Sequence, residues 1–295
     1  MTSTEPQEPA PAGPSLWWWA LVVVLLAGVL LLVVQPWSPH ETEPVLPTDS
    51  GTVSIRPSPT PPYPPTPSPT PTPTPTPTGP EVPGEDAVFD SATQARLFVR
   101  EKRLMADVPA AKDGVEPRIV SGELDWGLPA GSSVLPARCT TAVTVVPEPP
   151  TGFDARSWGN DDMQFFQTVT RLPDAATARA AFRDLVSTLD GCPRYEQVNP
   201  STDGASWVAE PAIEGQGVYP SVVAQRVQSA EGHATPQYEG HMLVGNVIVS
   251  WTASAAGAPA DEDLDVPGQL ATLGSAESLS LMVQDRAQAA VAALG

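Results

Sequence analysis

Histidine, cysteine and basic residues are scarce in this 295-residue sequence. It has three histidines and two cysteines, and 15 lysine and arginine residues against 34 acidic ones give a net charge of −19. Nucleic-acid binding requires a basic surface that neutralises phosphates, so nucleic acid is excluded as a partner. Two cysteines cannot form a structural zinc site, and no histidine lies at a ligand spacing from either one. We therefore predict no metal site and no cofactor.

The motifs of common enzyme classes are missing as well. The sequence has no G-x-S-x-G, no phosphate-binding G-x-x-x-x-G-K, no H-E-x-x-H and no G-x-G-x-x-G. His233 and His241 flank a predicted turn, and we interpret both as ordinary solvent-facing loop residues. No sequence motif identifies a serine as the partner of either histidine. The chain is therefore predicted not to be an enzyme and to have no catalytic residues. A wall-acting hydrolase would need one of these histidines beside a serine or a carboxylate.

One acidic segment has the spacing of a calcium loop. Asp261, Asp263 and Asp265 occupy positions 1, 3 and 5 of an EF-hand-like run, but position 6 is Val266 and position 12 is Thr272. The EF-hand loop requires glycine and glutamate there. The segment is therefore interpreted as a solvated acidic loop, with weak opportunistic Ca²⁺ binding as the alternative.

An uncharged apolar run begins at Leu16 and ends at Val34. As a helix it is about 28 Å long, close to the ~30 Å hydrocarbon core of a bilayer, and tryptophans flank both ends. A cleaved signal peptide is the alternative, but there is no lysine or arginine before Arg56 and no A-x-A-like cleavage site. We predict a cytoplasmic tail over residues 1–15 and a single transmembrane helix over residues 16–35, with the bilayer as its partner.

Residues 36–84 are predicted to be an extracellular, disordered Pro/Thr-rich linker. Fourteen of the 28 residues between 57 and 84 are proline. Proline fixes φ and lacks an amide donor, so this stretch favours polyproline II and reaches roughly 85 Å. O-linked sugars on its hydroxyl residues are a further hypothesis, and a proline-motif ligand for an SH3-like domain is the alternative.

Residues 85–295 are predicted to form one extracellular domain with a net charge of −14. Apolar periodicity predicts three helices, and β-branched or alternating segments predict strands between them. The helices are expected at residues 91–105, 173–190 and 276–294, and the strands at residues 141–146, 163–172, 206–209, 221–229 and 243–253. Because several strands follow one another directly, the order indicates an α+β fold with an antiparallel-rich sheet packed by helices.

The two cysteines, Cys139 and Cys192, both lie in this domain. An even number of cysteines behind a membrane anchor predicts a disulfide, which in turn favours an extracytoplasmic location. Two free buried thiols are the alternative. A redox-active pair is disfavoured, since there is no C-x-x-C.

Four short segments resemble the PknH-like extracellular sensor domain family. They are the run from Phe166 to Thr170 ahead of an alanine-rich helix, the run from Leu189 to Cys192, the run from Val244 to Val249, and the closing alanine-rich helix. The resemblance implies a mixed α/β sandwich with a cleft for an unidentified ligand. Members of the family often have two disulfides, whereas this chain can form one. No kinase accompanies the domain, so a signal would have to leave through a partner.

Four residues are weak candidates for ligand binding. Arg96, Arg100 and Arg103 follow helical spacing on the first predicted helix, where a solvated face is the usual outcome. Contact with an anionic wall polymer or with lipid headgroups is the alternative. Trp158 lies in a predicted polar loop and could line a cleft, although packing in a core or loop is favoured.

The sequence thus predicts a membrane-anchored, extracytoplasmic sensor or ligand-binding domain that is not an enzyme and whose ligand is unknown. A structural or protein-docking component of the cell envelope is the alternative. A cleft large enough for a ligand would favour the first function, and a smooth convex surface would favour the second.

Overall fold

The computed structural model describes residues 82–200, 202–260 and 264–295. The predicted transmembrane helix and nearly all of the predicted linker lie outside these residues, as do Asp261 and Asp263 of the acidic segment. Within the described residues, every helix is too short or too polar to cross a membrane.

Eleven strands among the described residues form one sheet in which all neighbouring strands are antiparallel. They run in the order β1-β3-β4-β10-β9-β8-β6-β5-β2, while β11 pairs with β9 and β7 with β8. The strands are β1 (Glu116–Ile119), β2 (Ser133–Leu135), β3 (Gly152–Gly159), β4 (Met163–Arg171), β5 (Arg194–Val198), β6 (Ala205–Ala209), β7 (Ile213–Glu214), β8 (Ser221–Ala230), β9 (His233–Val244), β10 (Val247–Ala255) and β11 (Ala258–Pro259).

Helices pack on both faces of the sheet, so the predicted α+β class with an antiparallel-rich sheet is confirmed. The α-helices of the described residues are α1 (Glu101–Asp107), α2 (Thr141–Thr144), α3 (Ala175–Gly191), α4 (Val266–Leu273) and α5 (Ala276–Ala292), and the 3-10 helices are η1 (Gln94–Leu97), η2 (Pro109–Ala111) and η3 (Ala137–Cys139). One face carries the main core beneath η1, α1, α4 and α5. The opposite face is covered in part by α3.

Two predicted helices agree with the structure to within two residues. The N-terminus of α3 is capped by Asp174, whose side chain accepts a hydrogen bond from the Thr177 amide. Its apolar stripe, which includes Phe182 and Leu185, is buried against the sheet. At the start of α5, Ser275 and Ser278 exchange the two hydrogen bonds of a capping box.

The single helix predicted over residues 91–105 is wrong, because the chain is extended between η1 and α1. The side chain of Gln167 on β4 binds this break. Its Oε1 accepts from the Val99 amide at 2.9 Å, and its Nε2 donates to the Leu97 carbonyl at 3.1 Å. These tertiary bonds satisfy backbone groups that a continuous helix would have paired internally.

The strand predicted over residues 141–146 is also wrong, since its first four residues form α2. The Trp126 indole donates to the Thr144 carbonyl at 2.9 Å and so satisfies the end of this short helix. Val145 then adopts a φ of 68°, and Val145 and Val146 are buried against α3. Tertiary packing here overrides the β propensity of the branched residues.

The predicted strand over residues 243–253 is in fact the end of β9, a two-residue turn and most of β10. Gly245 has a φ of 55°, and any side chain at this position would collide with the Ala87 carbonyl. Asn246 uses its side chain to bind Phe89 and Leu172, with amide–carbonyl distances of 2.8 to 3.2 Å. The Gly-Asn pair in this family-like motif therefore has a structural role.

The prediction missed strands β1, β2, β3, β5, β7 and β11, most of β9, and helix α4. The turn expected between His233 and His241 lies within β9, even though Pro236 argues against a central strand. The ladder from β9 to β10 ends at Gln237 and the ladder to β11 begins at Ala234. Pro236 is therefore paired only with β8, and its missing amide removes no bond from a second ladder.

Candidate functional site

A cavity of about 300 Å³ opens on the sheet face that carries α3. Polar side chains of β4, β8, β9 and β10 form its floor, because alternate residues of a strand point to the same face. Their neighbours in sequence point to the main core on the other face. The polar residues that line the cavity are Gln164, Thr168, Arg226, Gln228, Gln237, Glu239, His241, Ser250, Thr252 and Ser254.

Arg226 and Glu239 form an ion pair in the floor, with side chains only 10% and 11% exposed. Arg226 Nη1 also donates to the Tyr195 hydroxyl at 2.7 Å. The Gln237 amide is oriented so that its oxygen accepts from Arg226 Nε at 2.5 Å and its nitrogen donates to Ser254 Oγ at 3.1 Å, since the opposite orientation would point the nitrogen at the guanidinium. A buried charge needs such compensation from every side.

The ion pair sets the electrostatics of the floor. Burial acts to raise the pKa of the Glu239 carboxyl, but the positive charge of Arg226 and the neighbouring His241 outweigh burial and hold the pKa below its ordinary value of 4.5. Burial raises the pKa of the Tyr195 phenol, which stays protonated. Glu239 is therefore ionised at neutral pH, and its charge cancels that of Arg226.

His241 is 2% exposed and lies beside this pair, so the solvent-facing loop position predicted for it is wrong. Ser250 is its direct cross-strand partner on β10, and the distance from His241 Nδ1 to Ser250 Oγ is 2.8 Å. His241 Nε2 is 3.7 Å from Glu239 Oε1, too far for a direct hydrogen bond. This nitrogen has no hydrogen-bond partner among the described residues.

Aromatic residues form one wall of the cavity. The rings of Tyr195 and Trp207 stack with centroids 5.0 Å apart, and the Arg226 guanidinium lies 5.8 Å from the Trp207 ring. The predicted disulfide between Cys139 and Cys192 is present and packs in the same small cluster as these two rings. It links η3 to the end of α3, and thereby fixes the wall relative to the neighbouring α2.

Ser250, His241 and Glu239 together have the composition of a hydrolytic triad, the cluster that a wall-acting hydrolase would need. Their geometry does not favour that chemistry. The Ser250 and Trp251 amides lie within β10, between β4 and β9, where the two ladders engage them and leave no oxyanion hole at this point of the sheet. Glu239 is committed to Arg226 instead of orienting the imidazole. The arrangement is suited to hydrogen bonding with a bound molecule.

Trp158 is not in a loop and does not line this cavity. It lies in β3, is 8% exposed, and packs against Phe165 with ring centroids 6.4 Å apart. Both rings belong to the main core on the opposite face of the sheet. The favoured interpretation, packing in a core, therefore describes its position.

The three candidate arginines do not share one helical stripe, because the helix that would align them is broken. Arg96 lies in η1 and donates to the Ala293 carbonyl at 2.6 Å. Arg103 lies in α1 and forms ion pairs with Asp107 at 2.5 Å and with Asp285 at 3.0 Å. Arg100 lies in the extended break and is exposed. None of the three lines the cavity, because η1, α1 and the break between them lie on the opposite face of the sheet.

The polar floor has a local signature in the sequence of β9. Gln237, Glu239 and His241 alternate with Tyr238, Gly240 and Met242. Charged and amide side chains at a period of two within an otherwise apolar strand mark one polar face. The strand was not recognised because Pro236 and the two histidines resemble a turn.

No family model and no curated protein sequence matches this chain. Among solved structures, the extracellular domain of PknH from Mycobacterium tuberculosis is 16% identical, with a TM-score of 0.47 over 68% of this chain and 98% of that domain. An uncharacterized protein from Mycobacterium smegmatis, the Rv0999 ortholog, is 15% identical, with a TM-score of 0.30 over 61% of this chain and 98% of that protein.

Proposed function

We propose that the domain is a non-catalytic receptor that binds an uncharged, hydroxyl-rich small molecule, such as a mono- or disaccharide unit, in the cavity. The observation that supports this most directly is a pair of buried polar atoms on residues that line the cavity. His241 Nε2 and Trp207 Nε1 both lack a hydrogen-bond partner among the described residues. Because buried polar atoms are normally satisfied, these two point to a bound polar partner.

The charge and chemistry of the lining favour this class of ligand. Arg226 and Glu239 neutralise each other, so the floor has no excess charge with which to select an ion. Hydroxyl and amide side chains such as Thr252 and Gln228 both donate and accept hydrogen bonds, as a sugar does. The Trp207 and Tyr195 rings offer apolar contact beside them, a combination typical of small-molecule sites.

We also propose that this receptor is held outside the cell by the segment from Leu16 to Val34 and the proline-rich linker. The disulfide between Cys139 and Cys192 supports an oxidising compartment, since disulfides rarely persist in the cytosol. Protease added to intact cells should remove the domain. Complete protection of the domain, with a cytosolic marker protected equally, would contradict this orientation.

Binding can be tested with the full-length chain in detergent micelles. We expect titration calorimetry with glucose, maltose and N-acetylglucosamine to detect binding of at least one sugar. Gln228→Ala removes one hydrogen-bonding group at the rim and should weaken that binding about threefold to tenfold. Gln225→Ala, on the same strand but the opposite face, is the matched control and should bind as the wild type does.

The hydrolase alternative rests on the short contact between Ser250 and His241. A fluorophosphonate probe distinguishes the two functions, because it labels only an activated serine. We expect Ser250 to stay unlabelled after exposure of the full-length chain. Labelling at Ser250 that the His241→Ala variant abolishes would establish the hydrolase instead.

A further inference from the structure

A second cluster of polar groups surrounds Phe98, in the break between η1 and α1. The Arg156 guanidinium stacks on the Phe98 ring, with its carbon 4.4 Å from the ring centroid. Arg286 of α5 donates its Nε proton to the Phe98 carbonyl at 2.9 Å. Arg100 follows two residues after Phe98, and both residues have extended backbone angles. The guanidinium groups of Arg156 and Arg286 therefore both contact Phe98, and the charge of Arg100 acts on Arg286.

These three arginines have no carboxylate within ion-pairing distance among the described residues, although the domain is strongly acidic. Asp154 contacts Arg156 only through Ser121. The Ser121 hydroxyl donates to Asp154 at 2.9 Å and accepts from Arg156 Nε at 2.8 Å. Asp154 also accepts from the Gly122 and Ala155 amides, so its charge is already engaged.

The positive charges at this cluster act on one another. Burial, followed by the like charges of Arg100 and Arg156, lowers the pKa of Arg286 below its ordinary value. Asp285, the neighbour of Arg286 in α5, is taken by Arg103. Among the described residues, no carboxylate pairs directly with these arginines to offset the repulsion.

We propose that Arg100, Arg156 and Arg286 form a binding site for a phosphate group, either free or on a lipid headgroup. Guanidinium groups present fixed pairs of N–H donors that match phosphate oxygens, and they stay charged at every physiological pH. The Phe98 ring holds the Arg156 guanidinium in place, and the Phe98 carbonyl holds that of Arg286. Arg100 is exposed and forms no ion pair with any of the described residues. The site is separate from the cavity, since Phe98 belongs to the core on the opposite face of the sheet.

The first test needs no ligand. Arg100→Gln removes one of three like charges, so we expect it to raise the Tm of the full-length chain at low salt by a degree or more, and the gain to vanish at high salt. Arg138→Gln is the matched control, because Arg138 is an exposed arginine in η3 outside the cluster. If the two variants have equal Tm values at low salt, the charge of Arg100 does not repel those of Arg156 and Arg286, and the proposed cluster is refuted.

The second test identifies the phosphate source. For the full-length chain in detergent, inorganic phosphate and glycerol phosphate are titrated at constant ionic strength against chloride. In nanodiscs, the Tm is compared between phosphatidylcholine alone and phosphatidylcholine with phosphatidylglycerol. Arg100→Gln should weaken binding in the responsive arm by roughly tenfold, and Arg138→Gln should not.

A response to the soluble phosphates assigns a free phosphate, and a response only to phosphatidylglycerol assigns a lipid headgroup. Either result, if lost in Arg100→Gln alone, supports the proposal. The absence of a response in both arms overturns it, as does a response that both variants retain equally.

Discussion

The Arg226–Glu239 ion pair lies in the cavity floor, and removing one member should destabilise the protein far more than removing both. Both side chains are about nine-tenths buried. Arg226→Met or Glu239→Leu alone leaves a buried charge without its partner, which costs about 3–5 kcal/mol. For a domain of this size, that loss lowers the Tm by roughly 6–20 °C. The double variant buries no charge and should recover most of this loss.

Urea denaturation of the full-length chain in detergent, followed by tryptophan fluorescence, measures all four proteins of this cycle. The control is Arg103→Met, which breaks the two ion pairs of an arginine whose side chain is 50% exposed and should cost no more than about 1 kcal/mol. If the effects of the two cavity substitutions simply add, the two charges are not coupled. Such a result would refute the view that the floor is a mutually neutralised pair.

Three further predictions concern stability. Because the folded-state pKa of Glu239 lies below its ordinary value of 4.5, the stability from this carboxylate is present above that value and is lost as the pH falls through the lower one. Wild-type unfolding midpoints should thus fall more steeply with acid below about pH 5 than those of the double variant. Replacing Cys139 and Cys192 with alanine should cost about 4 kcal/mol in urea denaturation, since the disulfide closes a separation of 53 residues. Gly240→Ala should cost about 1–3 kcal/mol in the same assay, because its new methyl group would collide with the Trp251 ring.

Each prediction has a contradicting result. Parallel acid profiles of the wild type and the double variant would show that Glu239 is not ionised more readily than an ordinary carboxyl. If the variant with alanine at positions 139 and 192 unfolds at the same urea concentration as the wild type, the disulfide does not restrict the unfolded chain. For the glycine, Gly191→Ala is the matched control, since its methyl group meets open space. Equal stability of the two glycine variants would refute the collision.

Local patterns predicted the elements whose interactions are mainly local. Helix α3 could be read from its apolar stripe and its stop at Gly191, and β4 and β8 from their β-branched runs. The wrongly predicted first helix, by contrast, depends on distant partners. Gln167 breaks the first helix through bonds to Leu97 and Val99, and those bonds join positions about 70 residues apart.

The cavity could not be predicted because its parts come from distant segments. Tyr195, Arg226 and Ser250 come together only once the sheet has formed. Their spacing in the sequence does not indicate that they share one cavity. Only the alternation around Glu239 is a local trace of the polar floor. The disulfide, by contrast, was predicted from the even cysteine count together with the expected membrane anchor, and two cysteines allow a single pairing.

Sugar binding by the wild type and by the Arg226→Met/Glu239→Leu double variant tests the proposed function most directly. The double variant should keep its fold, as its urea midpoint will show, yet lose the two charged groups of the cavity floor. We predict that glucose, maltose or N-acetylglucosamine binds the full-length wild type in titration calorimetry, and that the double variant binds it more than tenfold more weakly. Equal affinity of the two proteins, or no binding of any of these sugars to the wild type, would contradict a sugar receptor in this cavity.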